Sequence, residues 1–211
     1  DFIKKKKLKY KISLNINKSK KYFSLNSNFE NDIKNLLAAV LIISIFKDIK
    51  ELDNNIFYNY KTPDGRGDIS KIKIFKKNLY LIDESYNSNP LSLKSALKNF
   101  DSMKVNNSKK HLILGDMLEL GKHSKKLHKT ISKSINGTSI NNVNVIGKHI
   151  KNTYKNLNNS KKGLILKKNS QIIDLIKNSI NNNDYLMIKG SNSTGLNKIT
   201  NDIKTGKINA L

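Results

Sequence analysis

Cysteine is absent from all 211 residues, which excludes a disulfide framework and any thiolate metal site. That absence fits a reducing compartment, and the cytoplasm is the expectation. Proline occurs only twice, at positions 63 and 90, and arginine only once, as Arg66. No apolar run is long enough to span a bilayer; the longest, residues 36–46, is interrupted by Ser44 and covers barely half the required length. The chain opens on Asp1, and the lysines at 4–7 lead into a polar alternating stretch without an apolar h-region. No signal peptide is therefore expected, and a preceding part of the protein is expected to be missing. The sequence contains no Walker-type phosphate loop, no His-Glu-x-x-His and no nucleophile elbow.

What is abundant is lysine. The net charge is +24, and of 40 basic residues all but Arg66 are lysine. Such a balance suggests a nucleic-acid or anionic-membrane partner. Two features argue against that reading. Lysine, asparagine and isoleucine, all in excess here, share A/T-rich codons, and the lysines are scattered along the whole chain. Nucleic-acid readers also lean on arginine, whose planar fork grips guanine and phosphate with two bonds. Neither a nucleic-acid nor a membrane partner is expected, and the chain is expected to be a monomer. A basic nucleic-acid-binding α/β module remains the alternative reading. With 37% hydrophobic residues the chain can bury a true core.

Two regions differ in periodicity. Residues 10–16 and 21–25 alternate apolar and polar, which predicts two strands of an antiparallel or edge arrangement. Asp32 is a natural N-cap for a helix over 33–46, apolar nearly all round and so expected to be buried. A short helix is predicted over 48–54. The segment from Lys61 to Asp68, holding Pro63, Gly65 and Gly67, is the expected interdomain hinge. Beyond it strand, turn and helix repeat. Strands are predicted at 72–75, 79–82, 111–114, 143–146, 164–166 and 185–188, and helices at 90–100, 124–135, 148–157, 170–180 and 196–203. This alternation predicts an α/β fold with a mostly parallel sheet.

In an open parallel sheet, ligands bind beyond the carboxyl ends of the strands. The unusual loops, Asp83 to Pro90, Gly115 to Gly121, Gly147 and Lys189-Gly190-Ser191, all fall at that edge. Of the neighbours Asp83 and Glu84, one should point into the cleft and the other back toward the sheet. A carboxylate there can accept both hydroxyls of a ribose; the plain alternative is a turn cluster. Asn89-Pro90 reads first as a helix start. Asp116 and Glu119 are an acid pair or simply helix-start acids. His128 reads as a surface or half-buried histidine with no companions at metal-ligand spacing. Arg66, a lone arginine between two glycines, is suited to bidentate contact with a phosphate unless its position is chance. Lys189 before Gly190-Ser191 can present a cation and an amide to an anionic group.

In chain order, Asn35-Leu36-Leu37-Ala38-Ala39, Gly65-Arg66, Asp83-Glu84-Ser85-Tyr86-Asn87-Ser88-Asn89-Pro90, Leu114-Gly115-Asp116-Met117-Leu118-Glu119-Leu120-Gly121 with Leu127-His128, and Ile188-Lys189-Gly190-Ser191 resemble the Mur ligases. The resemblance implies a Rossmann-like sheet with helices on both faces over residues 62–211, preceded over residues 1–61 by the tail of a central ATPase domain. It implies a cytoplasmic ligase of peptidoglycan synthesis that uses ATP and Mg2+ and joins D-alanyl-D-alanine to UDP-N-acetylmuramoyl-tripeptide. A relative extending folate with glutamate is another reading. Carried over by position, Asn35 corresponds to an adenine contact, Arg66 to a phosphate contact and Glu84 to the ribose acid. Asn89, Lys189 and Ser191 correspond to contacts with the incoming substrate. Where the family has His then Asn before the helix, this chain has Asn31 and Asp32. The phosphate loop, the modified lysine and the magnesium ligands, hence the catalytic residues, are expected upstream of Asp1.

Overall fold

The computed structural model describes residues 10–16, 19–26, 30–60 and 63–210; the lysines at 4–7, Lys61, Thr62 and the side chain of Asn31 lie outside the described residues. The chain forms two compact units, Asp1–Thr62 and Pro63–Leu211.

In the first unit, β1 (Tyr10–Ile16) and β2 (Ser19–Leu25) pair antiparallel in a two-stranded sheet. Their inward residues Leu14, Ile16, Phe23 and Leu25 form a small core with Leu36 and Val40 of α1 (Glu30–Ile43) and with Ile49 and Leu52. Phe57 meets Phe23 edge-on at 5.7 Å. Helix α1 starts before the position predicted for it, so Asp32 lies within its first turn and is buried rather than capping it. The helix stops at Ile43, and residues 44–46 turn. The second predicted helix is one 3-10 turn, Ile49–Glu51, capped by Asp48. The expectation that α1 is buried nearly all round is overturned. Leu36 and Val40 are covered, but Leu37, Leu41 and Ile42 are exposed, as are Ile45 and Phe46 just beyond. A two-stranded sheet covers one stripe of a helix, and among the described residues no second layer covers the other stripe.

The second unit is built on a six-stranded sheet. Its elements in order are β3 (Asp68–Ile74), β4 (Lys77–Glu84), α2 (Pro90–Ser102), β5 (Lys110–Leu114), α3 (Ser124–Asn136), β6 (Asn142–Ile146), α4 (Lys151–Lys155), β7 (Lys162–Leu166), α5 (Gln171–Ser179), β8 (Tyr185–Lys189) and α6 (Leu196–Lys204). The strand order is β3-β4-β8-β5-β6-β7, with β3 antiparallel to β4 and every other neighbour parallel. Both faces are covered, as a parallel sheet requires. Leu112, Leu114, Val143, Val145 and Met187 face α2 and α3, meeting Leu93, Leu97, Phe100, Ile131 and Ile135. Ile113, Leu186, Ile188, Leu79 and Leu81 face α5 and α6, meeting Ile172, Leu175, Ile176, Leu196 and Ile203. All six predicted strands and five predicted helices of this unit are present. Helix α4 is shorter than the predicted 148–157 at both ends: it begins at Lys151, after the Lys148 and Ile150 amides that bond the Asp116 carboxylate, and ends at Lys155.

Among the described residues no helix is long and apolar enough to cross a membrane.

Candidate functional site

The carboxyl ends of β4, β8, β5 and β6 bring the loops at 85–89, 190–195, 115–123 and 147–150 to one edge. Side chains alternate faces along a strand, and β4 ends on that alternation. Asp83 turns one way, toward Ser85 and α6, while Glu84 turns the other, toward β8. Glu84 Oε2 lies 3.1 Å from Lys189 Nζ, which also donates to the Asn87 carbonyl at 3.0 Å. Lys189 is 1% exposed. Its cation is thus turned toward Glu84 and the 85–89 turn. Burial pushes the Lys189 ammonium down, opposed by the charge of Glu84 and reinforced by nearby Arg66. Burial pushes the Glu84 carboxyl up, opposed by Lys189.

Arg66 sits on the turn before β3. Gly65 (φ 74°) and Gly67 (φ 96°) both take left-handed backbone, which glycine adopts without a Cβ penalty. The turn is fastened to β4: Gly67 N–H donates to Asp83 O at 2.7 Å and Tyr86 N–H to Gly65 O at 3.1 Å. The fit is close, since a Cβ on Gly65 would lie 2.9 Å from Tyr86 and one on Gly67 would lie 3.0 Å from Glu84 Oε1. The exposed Arg66 guanidinium rests over the Tyr86 ring, 4.6 Å from its centroid. The turn that carries Arg66 and the strand end that carries Glu84 therefore meet at the same edge.

Ser191 is buried between the neighbouring turns. Its Oγ accepts from Leu118 N–H at 2.9 Å and donates to Ser88 O at 3.2 Å, while its N–H donates to Asp116 O. Asn89 caps α2: its side chain accepts from Ser92 N–H at 2.8 Å, and Ser92 Oγ accepts from Asn89 N–H. Asp116 and Glu119 do not act together; Asp116 is buried and holds the Lys148 and Ile150 amides, while Glu119 is exposed with φ 61°.

His128 is fully buried, a correction to the surface or half-buried expectation. Its Nε2 accepts from Met117 N–H at 3.1 Å and its Nδ1 bonds Ser124 O at 2.8 Å, so the imidazole is a neutral brace beneath the 115–123 loop. Burial pushes its pKa down against the opposing Ser124 carbonyl and Asp116. Burial likewise lowers His111, against the opposing Asp184. Below about pH 6.5 the unfolded chain binds more protons at these positions than the folded chain, so stability falls with acidification. The unfolding midpoint is expected to drop between pH 7.5 and 5.5, with a shallower drop in His128→Gln; identical slopes in the two proteins would refute the role given to His128.

In the first unit, Asn35 lines a mostly apolar pocket with Leu25, Asp32, Leu36, Ala39, Phe57 and Tyr60. Among the described residues no group of three or more His, Asp or Glu side chains is placed to hold a metal ion. Sequence reasoning missed Tyr86 as the platform for Arg66, and it missed Lys204, whose ammonium faces Asp64, Asp68 and Asp83. The second had no signal in a chain so rich in lysine.

The family described as "Mur ligase, glutamate ligase domain" matches residues 71–192. A UDP-N-acetylmuramoyl-tripeptide--D-alanyl-D-alanine ligase from Buchnera aphidicola is 36% identical over 133 residues, covering 62% of this chain and 28% of that protein. The Rickettsia prowazekii protein of the same name is 29% identical over 166 residues, covering 78% of this chain and 35% of that protein. The chain thus spans about a third of the length of these curated relatives or less. The structure of a MurF ligase from Thermotoga maritima in complex with ADP superposes with a TM-score of 0.76 at 16% identity, over 96% of this chain and 45% of that one. A MurF from Acinetobacter baumannii gives 0.74 at 18% identity, over 93% of this chain and 42% of that one. At such identities the likeness is one of fold.

Proposed function

This chain belongs to the Mur ligase family through its glutamate ligase domain, and on that premise we propose that it is the carboxy-terminal portion of a cytoplasmic, ATP-dependent ligase joining D-alanyl-D-alanine to UDP-N-acetylmuramoyl-tripeptide. The relatives that carry that name support the substrate pair. Residues 1–61 are the tail of the central ATP-binding domain, and residues 62–211 are the carboxy-terminal domain. The exposed apolar stripe of α1 fits a surface covered by the rest of the central domain. The family match favours this reading over a nucleic-acid-binding module.

The observation that carries the proposal is that the turn bearing Arg66 is fastened to the end of β4, which bears Glu84, at the carboxyl edge of the sheet. A cation with a planar fork suits the nucleotide phosphates, and a carboxylate beside it suits the ribose hydroxyls. Taken by itself, the first unit's pocket at Asn35, beside Phe57 and Tyr60, suits a flat heteroaromatic base, with the amide supplying hydrogen bonds. In the reaction, ATP phosphorylates the tripeptide carboxylate and leaves as ADP, and the dipeptide amine attacks the acyl phosphate to give a tetrahedral intermediate that expels phosphate as the amine nitrogen loses its proton. The contribution of this chain is positioning and charge: Arg66 offsets phosphate charge, and the turns carrying Lys189, Ser191 and Asn89 shape the place of the incoming dipeptide. Lys189 acts there through its bonds to Glu84 and Asn87. Mg2+ would supply further phosphate neutralisation, but the described carboxylates do not fit it. Three that gather round one point, Asp64, Asp68 and Asp83, already face Lys204.

Titration of the 211-residue chain with ADP and with adenosine tests the reading. ADP is expected to bind in the millimolar range, about 4 kcal/mol, and more tightly than adenosine. Arg66→Ala should weaken ADP binding about ten-fold, the worth of one charge-assisted hydrogen bond, and leave adenosine unchanged. Equal affinity of the unaltered chain for ADP and adenosine would refute the phosphate role. The chain alone is expected to give no ligation, since phosphoryl transfer depends on phosphate and metal contacts that it does not carry.

A further inference from the structure

Strands β3 and β4 place Asp68 directly opposite Asp83, a pairing of like charges that destabilises an antiparallel ladder when uncompensated. The compensation comes from the last residue of α6. Lys204 Nζ makes a short hydrogen bond to Asp68 Oδ2, lies 3.4 Å from Asp83 Oδ2, and reaches the exposed Asp64 at 3.5 Å. Each of the two inner carboxylates spends its other oxygen on a turn. Asp68 Oδ1 accepts from Gly65 N–H at 2.9 Å, fixing the turn that carries Arg66. Asp83 Oδ1 accepts from Ser85 N–H at 3.1 Å and Ser85 Oγ–H at 2.6 Å, fixing the start of the 85–89 turn that carries Tyr86. Tyr86 is the ring on which the Arg66 guanidinium rests.

We infer that Lys204 is a positioning residue: one ammonium group holds both turns of the nucleotide-facing edge in register, and so sets where the Arg66 guanidinium stands. This inference rests on the phosphate role proposed above for Arg66. Without the cation, the buried Asp83 and the half-buried Asp68 carboxylates repel across the β3–β4 pair, and the cheapest relief is to release one of the turns. Burial by itself would lower the Lys204 pKa; the hydrogen bond and charge of Asp68, with Asp83 and Asp64, outweigh it and raise it. The cation is thus present throughout the neutral range.

The test compares Lys204→Met, Lys204→Arg and Arg66→Ala in the 211-residue chain by ADP and adenosine titration and by amide hydrogen exchange. Lys204→Met is expected to weaken ADP binding several-fold to ten-fold with adenosine unchanged. It should also speed exchange at Gly65, Gly67 and Ser85 while leaving Leu112 and Ile113 of β5 protected. Lys204→Arg, which keeps the charge, should restore both. If Arg66→Ala lowers the preference for ADP but Lys204→Met does not, the positioning role is wrong and the phosphate role stands. If Arg66→Ala leaves that preference intact, the phosphate role itself has failed. Uniformly faster exchange in Lys204→Met, β5 included, would reduce Lys204 to a stabilising residue and overturn the inference. Should Lys204→Met fail to fold, Lys204→Gln carries the same comparison, because its neutral amide removes the cation while still able to donate one hydrogen bond to the carboxylates.

Discussion

Replacing Lys189 by methionine is expected to cost about 3–5 kcal/mol of folding stability, read from the urea midpoint and slope. The side chain is 1% exposed and its ammonium serves both Glu84 Oε2 and the Asn87 carbonyl. Methionine fills nearly the same volume, so little of the loss is a cavity. The loss comes from Glu84, a mostly buried carboxylate left without its cation, and from a carbonyl left without its donor. Removing the acid as well should recover most of it. Lys189→Met combined with Glu84→Leu is expected to be markedly more stable than the sum of the single changes, because replacing a buried ion pair with apolar groups is far less costly than breaking it. A loss under about 1 kcal/mol for Lys189→Met would mean that the pair relaxes into solvent and that this edge is not preorganised.

Gly147→Ala is the second large effect, expected at about 3 kcal/mol or more by thermal or urea unfolding. Gly147 has φ 134°, and a Cβ there would lie 2.5 Å from Asp116 Oδ1 and 2.6 Å from its Cγ. The carboxylate cannot easily retreat, since it holds Lys148 N–H at 3.0 Å and Ile150 N–H at 2.7 Å. Backbone strain and collision can be separated. In an Asp116→Ala background the collision disappears, so Gly147→Ala should cost only the conformational part, about 1–3 kcal/mol. An equal cost in both backgrounds would show that the carboxylate is not the obstacle.

The parallel sheet was legible because its strands are short apolar runs punctuated by turns, and because burial on both faces leaves a continuous hydrophobic signal, as in Leu112-Ile113-Leu114. The split between Asp83 and Glu84 was legible for the same geometric reason, the period of two along a strand. What periodicity cannot report is which surfaces find a cover. Helix α1 is apolar all round, yet only the stripe through Leu36 and Val40 is packed, because a two-stranded ribbon offers one face. Nor does a sequence tell whether a histidine in a lysine-rich helix faces inward; His128 does, and the amide that anchors it comes from Met117, eleven residues away. Lys204 was invisible for a statistical reason. One lysine among 39 has no local mark, and its partners lie more than a hundred residues away in sequence.

The direction of a single strand has a mechanical consequence. Because β3, the edge strand, runs against β4, the polypeptide arrives in this unit at the carboxyl edge of the sheet, not at the far side. A parallel first strand of seven residues would have delivered the incoming segment roughly 20 Å away, given ~3.3 Å per residue. As built, the tether at Pro63 and Asp64 is continuous with the turn that carries the guanidinium. A pull on that segment is therefore felt first at the Arg66 turn, with no intervening lever.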